Sequence, residues 1–133
     1  QYLVKAAGYG SNFLLNVGPM PNGKIQPEHV ELLKQMGEWN KQYGETIQGT
    51  RGGPLSAREW GVMTQKGNKI YIHILNWHDE TLTLPKLGKK VVSAKLFIDK
   101  TPVKFLENDF GLSLKMPKDK MDEVDTVIEL EVK

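Results

Sequence analysis

The stretch Ser11–Gly53, SNFLLNVGPMPNGKIQPEHVELLKQMGEWNKQYGETIQGTRGG, sets the architecture. Phe13-Leu14-Leu15-Asn16-Val17 is a short apolar run bounded by turn residues, which suits a strand buried on both faces, as in a parallel sheet. In the turn that follows, Pro21 presets φ at the second position and Gly23 closes it. Pro27 fits the first position of a helix, where its missing N–H costs nothing, and Glu28 faces the positive end of the dipole. Leu32, Met36, Trp39 and Tyr43 then recur on one face, with Val30, Leu33 and Gly37 beside them and Glu31, Lys34, Glu38 and Lys41 opposite. This pattern predicts a helix over Pro27–Tyr43 terminated by Gly44. A lone βα unit cannot cover both edges and both faces of its strand, so partners are expected from outside.

Working outward toward the N-terminus, QYLVKAAGYG has neither an initiator Met nor a charged-then-apolar signal. Tyr2, Leu3, Ala6 and Ala7 fit the last turn of a helix, with Gly8 or Gly10 as its left-handed cap. A chain that opens this way reads as the tail of a longer protein; a mature N-terminus left by processing is the alternative.

Beyond Arg51 the rhythm changes from helical to alternating. Arg51-Gly52-Gly53-Pro54 reads as a linker, and residues 60–65 and 69–76 read as strands joined by a turn at Lys66-Gly67-Asn68. Ile70, Ile72 and Ile74 point one way, and Tyr71, His73 and Leu75 the other. Further strands are expected over residues 81–84, 91–98, 103–106, 111–115 and 126–132. The last shows a mostly clean alternation, Val124, Thr126, Ile128 and Leu130 against Asp125, Val127, Glu129 and Glu131. Short, closely spaced strands of this kind indicate an antiparallel sandwich.

Composition narrows the function classes. With 133 residues, 39% apolar and 26% charged, the chain has room for one small domain and part of another. Eighteen basic against sixteen acidic residues give +2, too balanced to point to nucleic acid or acidic lipid. No apolar run approaches the roughly 20 residues of a membrane span. The absence of cysteine excludes disulfides, thiolate catalysis and Cys-ligated metals within these residues. His29, His73 and His78 have no metal-ligand spacing, and there is no phosphate-binding Gly loop, no Ser-His-Asp set and no cofactor motif.

Several spaced blocks, in order, carry a family resemblance. Asn12-Phe13-Leu14-Leu15-Asn16-Val17-Gly18-Pro19, Asn22-Gly23-x-Ile25, Gly37-Glu38-Trp39 and Tyr43-Gly44-Glu45-x-Ile47-x-Gly49-Thr50-Arg51 resemble the C-terminal part of α-L-fucosidases of glycoside hydrolase family 29, bacterial in type. Trp60-Gly61, Thr64-Gln65-Lys66-Gly67-Asn68 and Ile72-His73-Ile74-Leu75 continue the likeness. The chain departs from the family where Tyr9-Gly10-Ser11 replaces a more glycine-rich approach, and where Asn22 stands in place of a common Asp.

The resemblance implies a fragment of a (β/α)8-like barrel, its last strand and helix in residues 1–50, followed by an antiparallel β-sandwich in residues 51–133. It also implies a retaining exo-hydrolase of terminal α-linked L-fucose, periplasmic or secreted, whose partners are fucosylated glycans and its own upstream barrel. Retention requires two carboxyls about 5–5.5 Å apart. The family draws both from earlier barrel regions, so no catalytic residue is expected here, and the sixteen acids read as solvated or structural. Asn16, at the end of a barrel strand, is the candidate sugar contact, against a purely structural hydrogen bond. Trp39 reads as helix packing and Trp60 as packing at the domain junction, while Lys86, Lys89 and Lys90 read as a solvated strand edge. Trp77 is the second candidate contact, against a local hairpin contact. The competing reading is a carbohydrate-binding or structural sandwich of another glycoside hydrolase, with Trp77 or Tyr71 as its stacking surface.

Overall fold

The computed structural model describes residues 1–133 and is mostly sheet. Helix α1 (Tyr2–Gly8) and helix α2 (Pro27–Tyr43) precede eight strands. These are β1 (Arg51–Gly52), β2 (Gly61–Lys66), β3 (Lys69–Ile74), β4 (Thr81–Leu84), β5 (Val91–Leu96), β6 (Phe105–Glu107), β7 (Leu112–Lys115) and β8 (Thr126–Val132). Five form one antiparallel sheet in the order β1-β2-β3-β8-β5, and three form another in the order β4-β7-β6.

The sandwich core lies between the two sheets. Ile70, Ile72 and Ile74 of β3 and Ile128 and Leu130 of β8 meet Leu82 and Leu84 of β4 and Leu112 and Leu114 of β7. Ile72, Ile128, Leu114 and Leu130 have no exposed surface. Burying each such side chain contributes about 1.5–3 kcal/mol, which makes this layer the main source of stability. Trp60 belongs to this core.

The other face of the large sheet is covered too. Val4 of α1 packs on Val62 and Leu75, and Tyr43 at the end of α2 packs with Tyr71, Phe97 and Val127. Tyr71 meets the Phe97 ring edge-on at 5.8 Å between centroids, and Trp39 stacks on Tyr43 at 5.4 Å. The two alternating sets of β8 are therefore not a dry face and a wet one: Asp125, Val127 and Glu129 are buried, and only Glu131 of that set is exposed. A helical layer, not water, lies over that face.

Burial of Glu129 is offset by lysines. Its carboxylate meets Lys95 at 3.2 Å, Lys100 at 3.4 Å and Lys69 at 3.6 Å, and the lysine side chains themselves stay partly exposed. Burial pushes the Glu129 carboxyl up, but the hydrogen bond from Lys95 and the charges of the three lysines outweigh it and hold it below its ordinary value.

Helix α2 has the expected bounds, with Pro27 at its start and the Gly44 N–H bonded to the Asn40 carbonyl at its end. Gly10, with φ 66°, follows α1, and Gly23 N–H closes the Pro21-Asn22 turn on the Met20 carbonyl at 2.8 Å. The strand expected over Phe13–Val17 does not form. Those residues pair with no strand, and Leu14 is 93% exposed. Both sheets here are built from other segments, and an extended run without a neighbouring ladder has no partner for its N–H and C=O groups. The stripe on α2 is likewise covered only at its C-terminal end, where Tyr43 is buried and Leu32 is 56% exposed.

Two glycines mark opposite constraints. Gly61 has φ 152°, and a Cβ there would run into the His73 carbonyl oxygen across the β2–β3 ladder. Gly37 lies in exposed helix with open space around it. Gly61→Ala is expected to destabilise the chain by about 2–4 kcal/mol, and Gly37→Ala to stabilise it by about 0.5–1 kcal/mol. Urea midpoints moving in the same direction would contradict this assignment.

A second expectation concerns pH. A carboxyl held below its unfolded value stabilises the fold above that ordinary value, about 4.3 for glutamate, and loses the contribution as pH falls through the folded value. Glu129→Gln should therefore flatten the acid limb of the stability curve below about pH 4.3. Superimposable acid limbs in chemical unfolding would show that the three lysines do not act on Glu129 as described.

Candidate functional site

Three places bring chemistry-bearing side chains together. The first is a buried polar line through the large sheet. On the pleat, His73 of β3 lies diagonally across from Thr64 of β2, because Val62 faces His73 and Thr64 faces Tyr71. Asp125, just ahead of β8, flanks the same histidine from the other side. The His73 ring nitrogens sit 2.8 Å (Nδ1) from Asp125 Oδ2 and 3.4 Å (Nε2) from Thr64 Oγ1. Thr64 Oγ1 donates to the Thr46 carbonyl, and Thr46 Oγ1 donates to the Tyr43 carbonyl at 2.7 Å.

Hydroxyl, imidazole and carboxylate stand in the order of a nucleophile, its base and the group that orients the base. The likeness is one of geometry only. Thr64 and His73 are 0% exposed, so no substrate reaches the hydroxyl or the imidazole. Thr64 also spends its one hydrogen on the Thr46 carbonyl. The line ties the end of α2 and the turn after it to three strands of the sheet.

Groups beside this line are perturbed by burial. Tyr71 donates to Glu45 at 3.1 Å, and burial, that hydrogen bond and the charges of Glu45 and Glu129 raise its hydroxyl well above the ordinary tyrosine range. Tyr43 is raised by burial first, then by Asp122 and Asp125. Tyr71 is 0% exposed, which removes it as a stacking surface for sugar.

The second place is a groove of 630 Å³ between α1, α2 and the loop leading into β8. Its walls include Phe13, Leu15, Leu32 and Met36, and its acidic members are Glu38, Asp122 and Asp125. Asp122 is occupied locally, its Oδ1 accepting the backbone N–H of Val124 at 2.7 Å and of Asp125 at 3.3 Å.

The third is an open cleft of 670 Å³ at one end of the sandwich, lined by Arg58, Glu59, Trp60, Asn76, Trp77 and Asp79 among others. Trp77 packs partly against the sandwich core, and its indole N–H is buried without a partner. Asn16 lies apart from this cleft, exposed in the irregular segment after α1. The two candidate sugar contacts, Asn16 and Trp77, are thus not brought into one site.

No three His, Asp or Glu side chains gather as metal ligands, and no helix is long and apolar enough to cross a membrane. The sixteen acids divide between exposed or half-buried positions on loops, helix faces and strands and the buried partners of His73 and the three lysines. The Thr64–His73 pairing is implicit in the hairpin register. Nothing local in the sequence signals that Asp125, 52 positions beyond His73, completes it.

Comparison with known proteins completes the picture. A family profile described as "Alpha-L-fucosidase" matches residues 1–45. An α-L-fucosidase of Branchiostoma floridae is 30% identical, over 86% of this chain and 27% of that protein. Among solved structures, α-L-fucosidase isoenzyme 1 from Paenibacillus thiaminolyticus is 35% identical with a TM-score of 0.82, covering 92% of this chain and 31% of that one. A family 29 α-L-fucosidase from Bacteroides thetaiotaomicron is 25% identical with a TM-score of 0.87, covering 98% and 30%. The chain spans less than a third of the length of these relatives. Sequence and fold together make it a member of the α-L-fucosidase family, glycoside hydrolase family 29, corresponding to a C-terminal part of such an enzyme.

Proposed function

We propose that this chain is the C-terminal segment of a retaining exo-α-L-fucosidase that removes terminal α-linked L-fucose from glycans outside the cytoplasm. Residues 1–50 would close the catalytic barrel, with Phe13–Val17 becoming its last strand once neighbouring strands are present. Residues 51–133 would brace that barrel through the sandwich. The observation that carries this reading is the likeness, over nearly the whole chain, to about a third of enzymes that are α-L-fucosidases by name. The exposed Phe13–Val17 run and the uncovered stripe of α2 support it, because both are apolar surfaces awaiting a partner.

The catalytic carboxyl pair would then lie upstream, and Asn16 at the strand end would contact the sugar or orient a carboxylate. The full parent is expected to hydrolyse an aryl α-L-fucoside, and the 133 residues alone are not; robust turnover by these residues alone would overturn the upstream placement. In the parent, Asn16→Ala should lower kcat/KM by about tenfold or more, the loss expected for one buried hydrogen bond to a reacting group. An unchanged kcat/KM would leave Asn16 a structural residue only.

A second reading keeps the sandwich as a sugar-binding module, favoured by the partly buried Trp77 in an open cleft with Arg58, Asn76 and Asp79. Fucosylated oligosaccharides titrated against the protein should then bind, and Trp77→Ala should abolish binding. Absence of binding at millimolar ligand removes this reading.

A further inference from the structure

Asp125 is a carboxylate with only half its partners. One oxygen is fixed on His73 Nδ1 at 2.8 Å, and the other, Oδ1, is buried and meets no donor. The residue is 1% exposed, so bulk solvent does not cover that oxygen. A carboxylate oxygen taken from water and left unpaired costs more than a lost neutral hydrogen bond. Such an atom in a native structure points to a missing partner.

The surroundings say what that partner is. Asp125 lies in the lining of the groove between α1 and α2, among apolar side chains that include Phe13, Leu15, Leu32 and Met36. Tyr2, which also lines it, is 80% exposed, and Leu32 is 56% exposed. Of its three acidic side chains, Glu38 is paired with Lys41 at 2.6 Å and Asp122 accepts the backbone N–H groups of Val124 and Asp125, which leaves Asp125 Oδ1, with no lysine or arginine in the lining. The Gln1 amide at its edge is already committed to the carbonyls of Leu75 and Val124. An occupant that fits is apolar, and it brings a cation.

We propose that the groove seats an apolar segment from the upstream part of the parent polypeptide, and that this segment places an arginine or lysine on Asp125 Oδ1. The inference rests on reading the chain as part of a longer α-L-fucosidase, since the relatives are more than three times its matched length. It goes beyond that reading by giving the contact a chemistry. His73 and the incoming cation would hold the Asp125 carboxylate from two sides, coupling the upstream domain through Thr64 to the end of α2.

The test is made on the full parent. Its crystal structure is expected to show an upstream Arg or Lys nitrogen within hydrogen-bond distance of Asp125 Oδ1; a water, a neutral group or an apolar atom there overturns the inference. A double-mutant cycle supplies the energetic counterpart. Asp125→Asn, which keeps an acceptor for His73, and truncation of the cation should each speed protease cleavage within residues 11–26 about tenfold, the effect of a lost charge pair. The double variant should be no worse than either alone, and additive effects overturn the inference. If no glycosidase barrel is encoded upstream, the proposed function itself fails. A barrel that covers the groove without a cation on Asp125 leaves that function standing and removes only this contact.

Discussion

Strands β3 and β8 lie side by side with both of their faces out of water, and the rest of the molecule is arranged around that fact. On one face the requirement is met by isoleucine and leucine against the small sheet, the arrangement of an ordinary sandwich. On the other it is met by aromatic rings and aliphatic side chains from the helical segment, with Tyr43, Tyr71 and Phe97 in one cluster and Val4, Val62 and Leu75 in another. A sheet covered by helices on one side and strands on the other is a three-layer object. Neither residues 1–50 nor residues 51–133 supply all three layers.

The second face also holds polar groups, and they are satisfied to different degrees. Glu129 has three lysines whose ammonium groups remain close to water, so the pairing is weak per contact but complete. His73 has partners on both ring nitrogens. Asp125 has one oxygen paired and one not. The polar side is therefore finished toward the sandwich and unfinished toward the groove, which is also where the apolar stripe of α2 lies bare.

What was legible in the sequence was local. Pro27 and Gly44 fix the ends of α2 through backbone chemistry that needs no partner, and the bounds expected from them are those observed. Lys66-Gly67-Asn68 turns as its composition demands, with Gly67 at φ 61°, and β4 and β8 have the bounds their alternation implied. What was not legible depends on distant surfaces. Phe13–Val17 has the composition of a buried strand but, with no neighbouring strand, no ladder to join. Glu129 of β8 is buried only through the three lysines brought over it, and Asp125 joins His73 only when β8 enters the sheet. The family was readable because its blocks are spaced along the whole chain. Asn16 and Trp77, the candidate sugar contacts, lie in separate regions of the fold, which no local pattern signals.

The strand order has a consequence for how the protein is made. β8 is the last of the eight strands to be synthesised, yet it sits between β3 and β5. Until residues 126–132 have left the ribosome, β3 and β5 each present a row of unpaired N–H and C=O groups, and the isoleucines of β3 have no neighbour on that side. For that interval the nascent chain carries two facing edges that β8 later joins, which makes it a substrate for holding chaperones and a hazard when crowded with copies of itself. A product broken off shortly before residue 126 would lack the middle of its main sheet.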